Sequence, residues 1–169
     1  MTRTALWASL AAAAIALACS SASAQTAEMA SDWLHASEEG MSGAFTVNDA
    51  GAAFGLICGR SCIAYVESSR PCLESGVYAG MMEGRAGAFP IRVTCRIVQG
   101  RYALTWRPDE TFIQAISAGG ELKIVVPNER GETGIDRFSL RGSYEAVYAA
   151  LQEAAAREGE SEAIGTDSL

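Results

Sequence analysis

Short apolar segments separated by turn residues constrain the fold more than any other feature of this 169-residue chain. The segments are rich in β-branched and aromatic residues and are bounded by Gly, Pro, Asn or Ser, as expected of β-strands. The loops between them are short enough for hairpins, which predicts antiparallel pairing. The strands predicted up to residue 106 are 44–47, 52–58, 62–67, 77–82, 89–98 and 102–106.

Two helical patterns accompany the strands in the last third of the chain. Asp109 is suited to cap a short helix that stops at a Gly-Gly pair. Residues 122–127 and 135–140 predict a further strand pair, and Ser143 is suited to cap a second helix with one apolar face. The sequence therefore predicts a mainly β domain: an antiparallel β-sandwich or partly closed barrel with one helix between strands and one at the C-terminus.

The first 24 residues have the parts of a bacterial export signal. Arg3 supplies positive charge, an apolar stretch too short to span a bilayer follows, and Ala22-Ser23-Ala24 is a small-residue cleavage site. We therefore expect cleavage near Ala24 and a mature protein in the periplasm, outside the cell or at its surface. Cys19 leaves an alternative open, because the small residues before it resemble a lipoprotein processing site at which the cysteine is acylated.

The remaining residues predict one domain with loosely structured ends. Residues 25–42 are polar and are interpreted as a flexible lead-in, and residues 158–169 as a disordered acidic tail. Between them, residues 43–157 are expected to form a single disulfide-stapled β domain, which is long enough to bury a hydrophobic core. No apolar run after the export signal has the length of a transmembrane helix, so none is expected in the mature chain.

Four cysteines remain after cleavage: Cys58, Cys62, Cys72 and Cys95. An even number of cysteines in an exported domain indicates disulfides, in this chain two of them. Three pairings are possible. The hairpin-like loop between Cys58 and Cys62 favours a bond between these two, which leaves Cys72 to pair with Cys95.

Charge and spacing argue against several functional classes. The net charge of −7 and the scattered arginines disfavour nucleic acid as a partner. The cysteines lack the second close pair of a zinc module, and the one histidine, His35, lies in the predicted lead-in. His35 is interpreted as a surface residue rather than a general base, and the glycines lack phosphate-loop spacing. We therefore expect no metal, no cofactor and no enzymatic activity.

A polar loop before the last predicted strand is the candidate interaction surface. Its residues Glu129, Arg130 and Glu132 are too polar for a core, and the strand beside them is expected at the edge of the sheet. Edge strands carry backbone groups that can pair with another extended chain. The partner is expected to be another protein or a component of the envelope.

Two stretches of the chain have a distinctive order of strands, cysteines and turns. The first is Phe54-Gly55-Leu56-Ile57-Cys58 with Cys62-Ile63-Ala64-Tyr65-Val66, which reads strand, cysteine, turn, cysteine, strand. The second is residues 118–126 with Phe138-Ser139-Leu140-Arg141-Gly142-Ser143, which leads from two strands into a helix. Together they resemble the opening, the closing strands and the last helix of the invasion-associated locus B family of exported proteobacterial proteins, over about residues 43–151. The resemblance implies a mainly β, periplasmic or surface-associated protein linked to host-cell interaction, without catalytic residues.

These observations lead to one functional expectation and one alternative. We expect an exported, non-enzymatic binding or accessory protein of the bacterial envelope, and the resemblance implies a role related to host interaction. The alternative is an envelope enzyme or enzyme inhibitor whose site combines carboxylates and tyrosines that form no motif. A buried cleft with converging ionisable groups would favour the enzyme, whereas a filled core with an exposed strand edge would favour binding.

Overall fold

The computed structural model describes residues 28–30, 32–38, 40–68, 71–98, 100–127 and 132–166. The described residues form ten strands and two helices. The strands are β1 (Glu28–Ala30), β2 (Trp33–Glu38), β3 (Met41–Val47), β4 (Ala53–Cys58), β5 (Cys62–Ser68), β6 (Val77–Gly84), β7 (Gly87–Val98), β8 (Arg101–Trp106), β9 (Glu121–Pro127) and β10 (Thr133–Ser139). The helices are α1 (Glu110–Ser117) and α2 (Ser143–Thr166).

All ten strands belong to one sheet, whose neighbouring strands are antiparallel. Their order is β1-β2-β3-β4-β5-β8-β7-β6-β9-β10, so the first five strands follow one another and the next three return in reverse. This confirms the predicted mainly β, antiparallel fold with two helices. Strands β1 and β10 are the edges, and among the described residues no ladder joins them to close a barrel.

The core forms where the sheet folds over on itself around Phe54 of β4. This side chain is fully buried, and its ring centroid lies 5.5 Å from that of Trp33 on β2 and 5.2 Å from that of Phe138 on β10. Phe112 of α1 approaches the same ring at 6.1 Å. Because β4 and β10 are far apart in the strand order, these contacts bring two parts of one inner face together, as in a β-sandwich.

The two helices pack against the folded sheet. Asp109 caps α1 as predicted, since its carboxylate accepts a hydrogen bond from the Phe112 N–H at 3.0 Å. Helix α2 lies along β2, β3 and β4, where the Ser42 hydroxyl donates to the Ala150 carbonyl at 2.8 Å. Ser143, the predicted cap of α2, is buried, and its hydroxyl donates to carbonyls of α1 and of the preceding turn. That contact ties the start of α2 to the end of α1.

Both disulfides have the pairing that the hairpin argument favours. Cys58 and Cys62 are direct neighbours across the β4–β5 ladder, with Cα atoms 4.0 Å apart. Cys72 is bonded to Cys95 of β7 across a sequence separation of 23 residues. The first bond therefore staples a single hairpin, and the second fixes the segment before β6 to the centre of the sheet.

The start of the domain differs from the sequence prediction. Residues 25–42 are predicted as a flexible lead-in, yet β1 and β2 lie within them and Trp33 is fully buried. The indole Nε1 of Trp33 donates to the carbonyl of Ser139, 106 residues further along the chain. A single tryptophan in a polar segment produces no periodic pattern, so its burial depends on contacts that only the folded chain provides.

The C-terminal end differs as well. Residues 158–169 are predicted as a disordered tail, whereas the backbone of α2 continues to Thr166. Glutamate, which has a high helix propensity, occupies three of the nine positions 158–166, whereas glycine, which has a low one, occupies two, so composition alone does not explain the continuation. A helix already started on the sheet needs no new nucleus to continue, so it extends beyond its packed face.

Candidate binding cleft

A cleft of about 1000 Å³ opens between the edge strand β10 and the turn that joins β3 to β4. This volume is at the upper end of the usual range for ligand pockets. One wall comes from the β1–β2 turn, β2, β3 and the turn after β3, with Asp32, Leu34, Thr46, Val47, Asn48 and Asp49. The other wall comes from β9 and β10, with Glu121, Ile135, Asp136, Arg137, Phe138 and Ser139.

Hydrogen bonds between the β1–β2 turn and the end of β10 close one end of this cleft. The Asp32 carboxylate accepts from the Arg141 guanidinium and from the Ser139 hydroxyl, each at 2.6 Å. The Asp32 N–H donates to the Arg141 carbonyl at 3.2 Å. The hydrogen bonds from Arg141 and Ser139 lower the pKa of the Asp32 carboxyl, while Asp32 raises the pKa of Arg141. Asp32 is therefore an ionised residue that holds the two walls together.

Beyond this closed end, no strand of the described ranges pairs with the side of β10 that faces the cleft. The Leu140 N–H donates to the Gly120 carbonyl at 2.8 Å, which continues the β9–β10 ladder. Residues of an antiparallel strand alternate between bonding the neighbour and facing away, so Ile135, Arg137 and Ser139 direct their N–H and C=O groups into the cleft. The bond from Trp33 to the Ser139 carbonyl agrees with this alternation.

The side chains around the open part of the cleft are apolar and acidic. Val47 and Ile135, on opposite walls, are 55% and 51% exposed. Among the described lining residues, four carry carboxylates and one is an arginine. That arginine, Arg137, forms an ion pair with Glu121 at 2.8 Å. Even when Arg141 at the closed end is counted, four carboxylates face two arginines around the described part of the cleft, and this excess of negative formal charge favours a cationic ligand.

A second surface feature is an apolar area on the outer faces of β3, β4 and β5. Gly55 lies between Phe45 and Tyr65 on the neighbouring strands, and the exposed Ile57 and Ile63 are paired beside it. Burial, with a smaller contribution from a neighbouring glutamate, raises the pKa of Tyr65 to about 12. The depression here has a volume of only about 200 Å³ and is mostly apolar, so we do not assign a ligand to it.

The structure places only part of the predicted interaction loop. Glu132 is exposed just before β10, whereas Glu129 and Arg130 lie outside the described residues. The strand beside the loop is at an edge of the sheet, as the prediction required. Sequence reasoning missed the opposite wall, because Asp32 and Val47 come close to β10 only when the sheet folds over. The turn residues after β3 marked a hairpin but gave no sign of a cleft.

His35 differs from its interpretation as a surface residue. Only 13% of its side chain is exposed, and its Nε2 lies 3.4 Å from Glu153 Oε1 on α2.

Within the described ranges, no group of three or more His, Cys, Asp or Glu side chains is arranged to hold a metal ion. In the same ranges, no helix combines the length and the apolar character needed to cross a membrane.

Comparison with known proteins identifies a structural relative. Neither a protein-family model nor a curated protein matches the sequence. Among solved structures, the chain is similar to invasion-associated protein B from Bartonella henselae, with a TM-score of 0.55 and 16% sequence identity. The match covers 79% of this chain and 98% of that one. The shared fold agrees with the resemblance seen in the sequence.

Proposed function

With this shared fold as the premise, we propose that the chain is an exported, non-enzymatic binding or accessory protein of the bacterial envelope. Its binding site is the cleft beside β10, and its partner is another protein or an envelope component. The name of the solved relative makes a role in host interaction the natural context for such binding. The proposal has two parts, a location outside the cytoplasm and a site that binds without catalysis.

Two features support the location. The two disulfides need an oxidising compartment to persist, and the bacterial cytosol reduces such bonds. Residues 1–24 have the charge, apolar length and cleavage site of an export signal. Intact mass of the protein isolated from its own cells tests this part, because cleavage after Ala24 leaves Gln25 as the first residue. A mass corresponding to the uncleaved chain would contradict export by this signal, and acylated Cys19 would indicate a lipid anchor.

The observation that carries the binding proposal is the free edge of β10 inside an open cleft. An unpaired edge usually promotes aggregation, and proteins protect it by covering or pairing it. Here the edge faces a wall from β2 and β3 across the cleft, so a ligand paired with the edge would also contact that wall. Two of the carboxylates in the cleft, Asp32 and Glu121, form ion pairs with arginines, which is a structural arrangement rather than an acid–base pair.

Site-directed photo-crosslinking in intact cells tests the binding proposal. A photo-reactive amino acid is placed at Val47 in the cleft or, as the matched control, at Leu73. Both positions are exposed, at 55% and 62%, and Leu73 does not line the cleft. We expect Val47, and not Leu73, to give a discrete crosslinked product. Equal crosslinking from both positions, or none from Val47, would contradict a binding role for the cleft.

A further inference from the structure

We infer that the cleft binds an extended, cationic polypeptide segment, which adds to β10 as an eleventh strand. The inference rests on the proposed binding function and specifies its ligand. Three features of the cleft contribute to it: the backbone groups of β10, the apolar side chains on the outer face and the excess of carboxylates.

The backbone supplies the first argument. Ile135 and Arg137 alternate with residues that pair with β9, so both their N–H and C=O groups point into the cleft. A strand of seven residues, the length of β10, is long enough to form a regular ladder with these groups. Backbone groups of this kind recognise an extended chain whatever its sequence, as in other cases of strand addition.

The side chains supply the second argument, because they differ between the two faces of an added strand. On the outer face, Ile135 of β10 and Val47 of β3 are exposed apolar residues on opposite walls. On the inner side, Asp136 and Thr46 are polar and partly or fully buried. Successive residues of a strand point to opposite faces, so the cleft matches a segment that alternates apolar with polar side chains.

Charge supplies the third argument. Four carboxylates and one arginine line the cleft among its described residues, so a cationic segment gains from approach and an acidic one is repelled. The bound segment ends where the cleft is closed by the ion pair between Asp32 and Arg141. A small cation would neutralise the negative charge of the cleft, but it would make no hydrogen bonds to the edge of β10 and no contact with the apolar side chains.

Binding of a synthetic peptide to the exported, disulfide-bonded protein tests this inference. The probe is a seven-residue peptide with blocked ends in which lysine alternates with valine, labelled for fluorescence anisotropy. We expect saturable binding, with about a tenfold loss when alternate peptide nitrogens are methylated, because the methylated peptide keeps its charge but loses strand hydrogen bonds. A glutamate–valine peptide should not bind. Equal binding of the methylated peptide, or displacement of the probe by spermidine at equal concentration, would overturn the inference.

Two pairs of protein variants locate the interaction. Ile135→Pro removes the N–H that faces the cleft, and it also fixes φ and shortens the apolar side chain, so it should weaken peptide binding about tenfold or more. Ile135→Val keeps that N–H and most of the apolar side chain and should bind as the original protein does. Asp49→Lys should weaken binding about threefold to tenfold. Its control, Glu74→Lys, makes the same charge change at an exposed residue that does not line the cleft and should have no effect.

The experiments separate failure of this inference from failure of the proposed function. If the lysine–valine peptide does not bind, the inference is wrong, and crosslinking from Val47 still decides whether the cleft binds a partner. If Ile135→Pro does not fold, as judged by its circular dichroism, the methylated peptide tests the same hydrogen bonds on the unaltered protein. Unchanged peptide affinity in a folded Ile135→Pro variant would show that β10 is not the binding edge.

Discussion

Removing the two disulfides separately should destabilise the protein by different amounts. We compare the double variants Cys58→Ala/Cys62→Ala and Cys72→Ala/Cys95→Ala. A disulfide stabilises mainly by restricting the unfolded chain, and the restriction grows with the length of the loop that it closes. The bonded residues are 4 positions apart in the first pair and 23 in the second, so the second bond should contribute more.

The loop lengths give the size of the difference. The chain-entropy relation yields about 2 kcal/mol for the Cys58–Cys62 bond and about 3.5 kcal/mol for the Cys72–Cys95 bond at 25 °C. Both variants also lose sulfur atoms from buried positions, since Cys58 and Cys95 are fully inaccessible to solvent. This packing loss is similar in the two variants, so the expected difference between them is about 1.5 kcal/mol.

Urea unfolding at 25 °C, followed by tryptophan fluorescence and circular dichroism, measures both values. Coincident transitions from the two probes would justify a two-state treatment of each variant. We expect the Cys72/Cys95 variant to have the lower free energy of unfolding. Equal losses of unfolding free energy in the two variants, or a larger loss in the Cys58/Cys62 variant, would refute the reasoning. The short hairpin bond would then contribute more stability than the restriction of the unfolded chain can explain.

Three further variants test separate parts of the fold. Gly55→Ala should lower the free energy of unfolding in urea by about 2 to 3 kcal/mol, because the added Cβ would overlap the Ala44 carbonyl oxygen. An unchanged free energy of unfolding would show that β3 and β4 can move apart at this position. Trp33→Phe should cost about 2 kcal/mol, through the lost hydrogen bond to Ser139 and the lost volume, and an unchanged melting temperature would contradict that. The pKa of Tyr65 is raised to about 12 in the folded state and is about 10 in the unfolded chain, so stability should fall by about 2 to 3 kcal/mol between these pH values. Tyr65→Phe should remove this part of the loss of stability at alkaline pH. Identical pH profiles of stability for the variant and the original protein would contradict this assignment to Tyr65.

The hairpin elements could be predicted from the sequence because their signals are local. The loop between Cys58 and Cys62 contains its own turn residues, so the antiparallel pairing and the Cys58–Cys62 bond follow from neighbours in the chain. The Cys72–Cys95 bond then follows by elimination. The cap at Asp109 is local in the same sense. These features need no knowledge of how distant segments meet.

The cleft could not be predicted because its walls are joined by contacts between distant residues. Asp32 and Arg141 are separated by 109 positions, and neither lies in a motif that indicates the other. The burial of Trp33 depends on the same closure, which explains why its segment resembled a flexible lead-in. The sequence did indicate that the last strand would be an edge, but the folding over of the sheet decides what faces that edge.

Amide NMR of the labelled protein with the lysine–valine peptide tests the central claim most directly. If the peptide adds to β10, the amide protons of Ile135 and Arg137 should move downfield and exchange more slowly with solvent. The amides of Gly134 and Asp136 already bond to β9 and should keep their exchange rates. Unchanged exchange at Ile135 and Arg137 in the saturated complex would contradict strand addition at this edge.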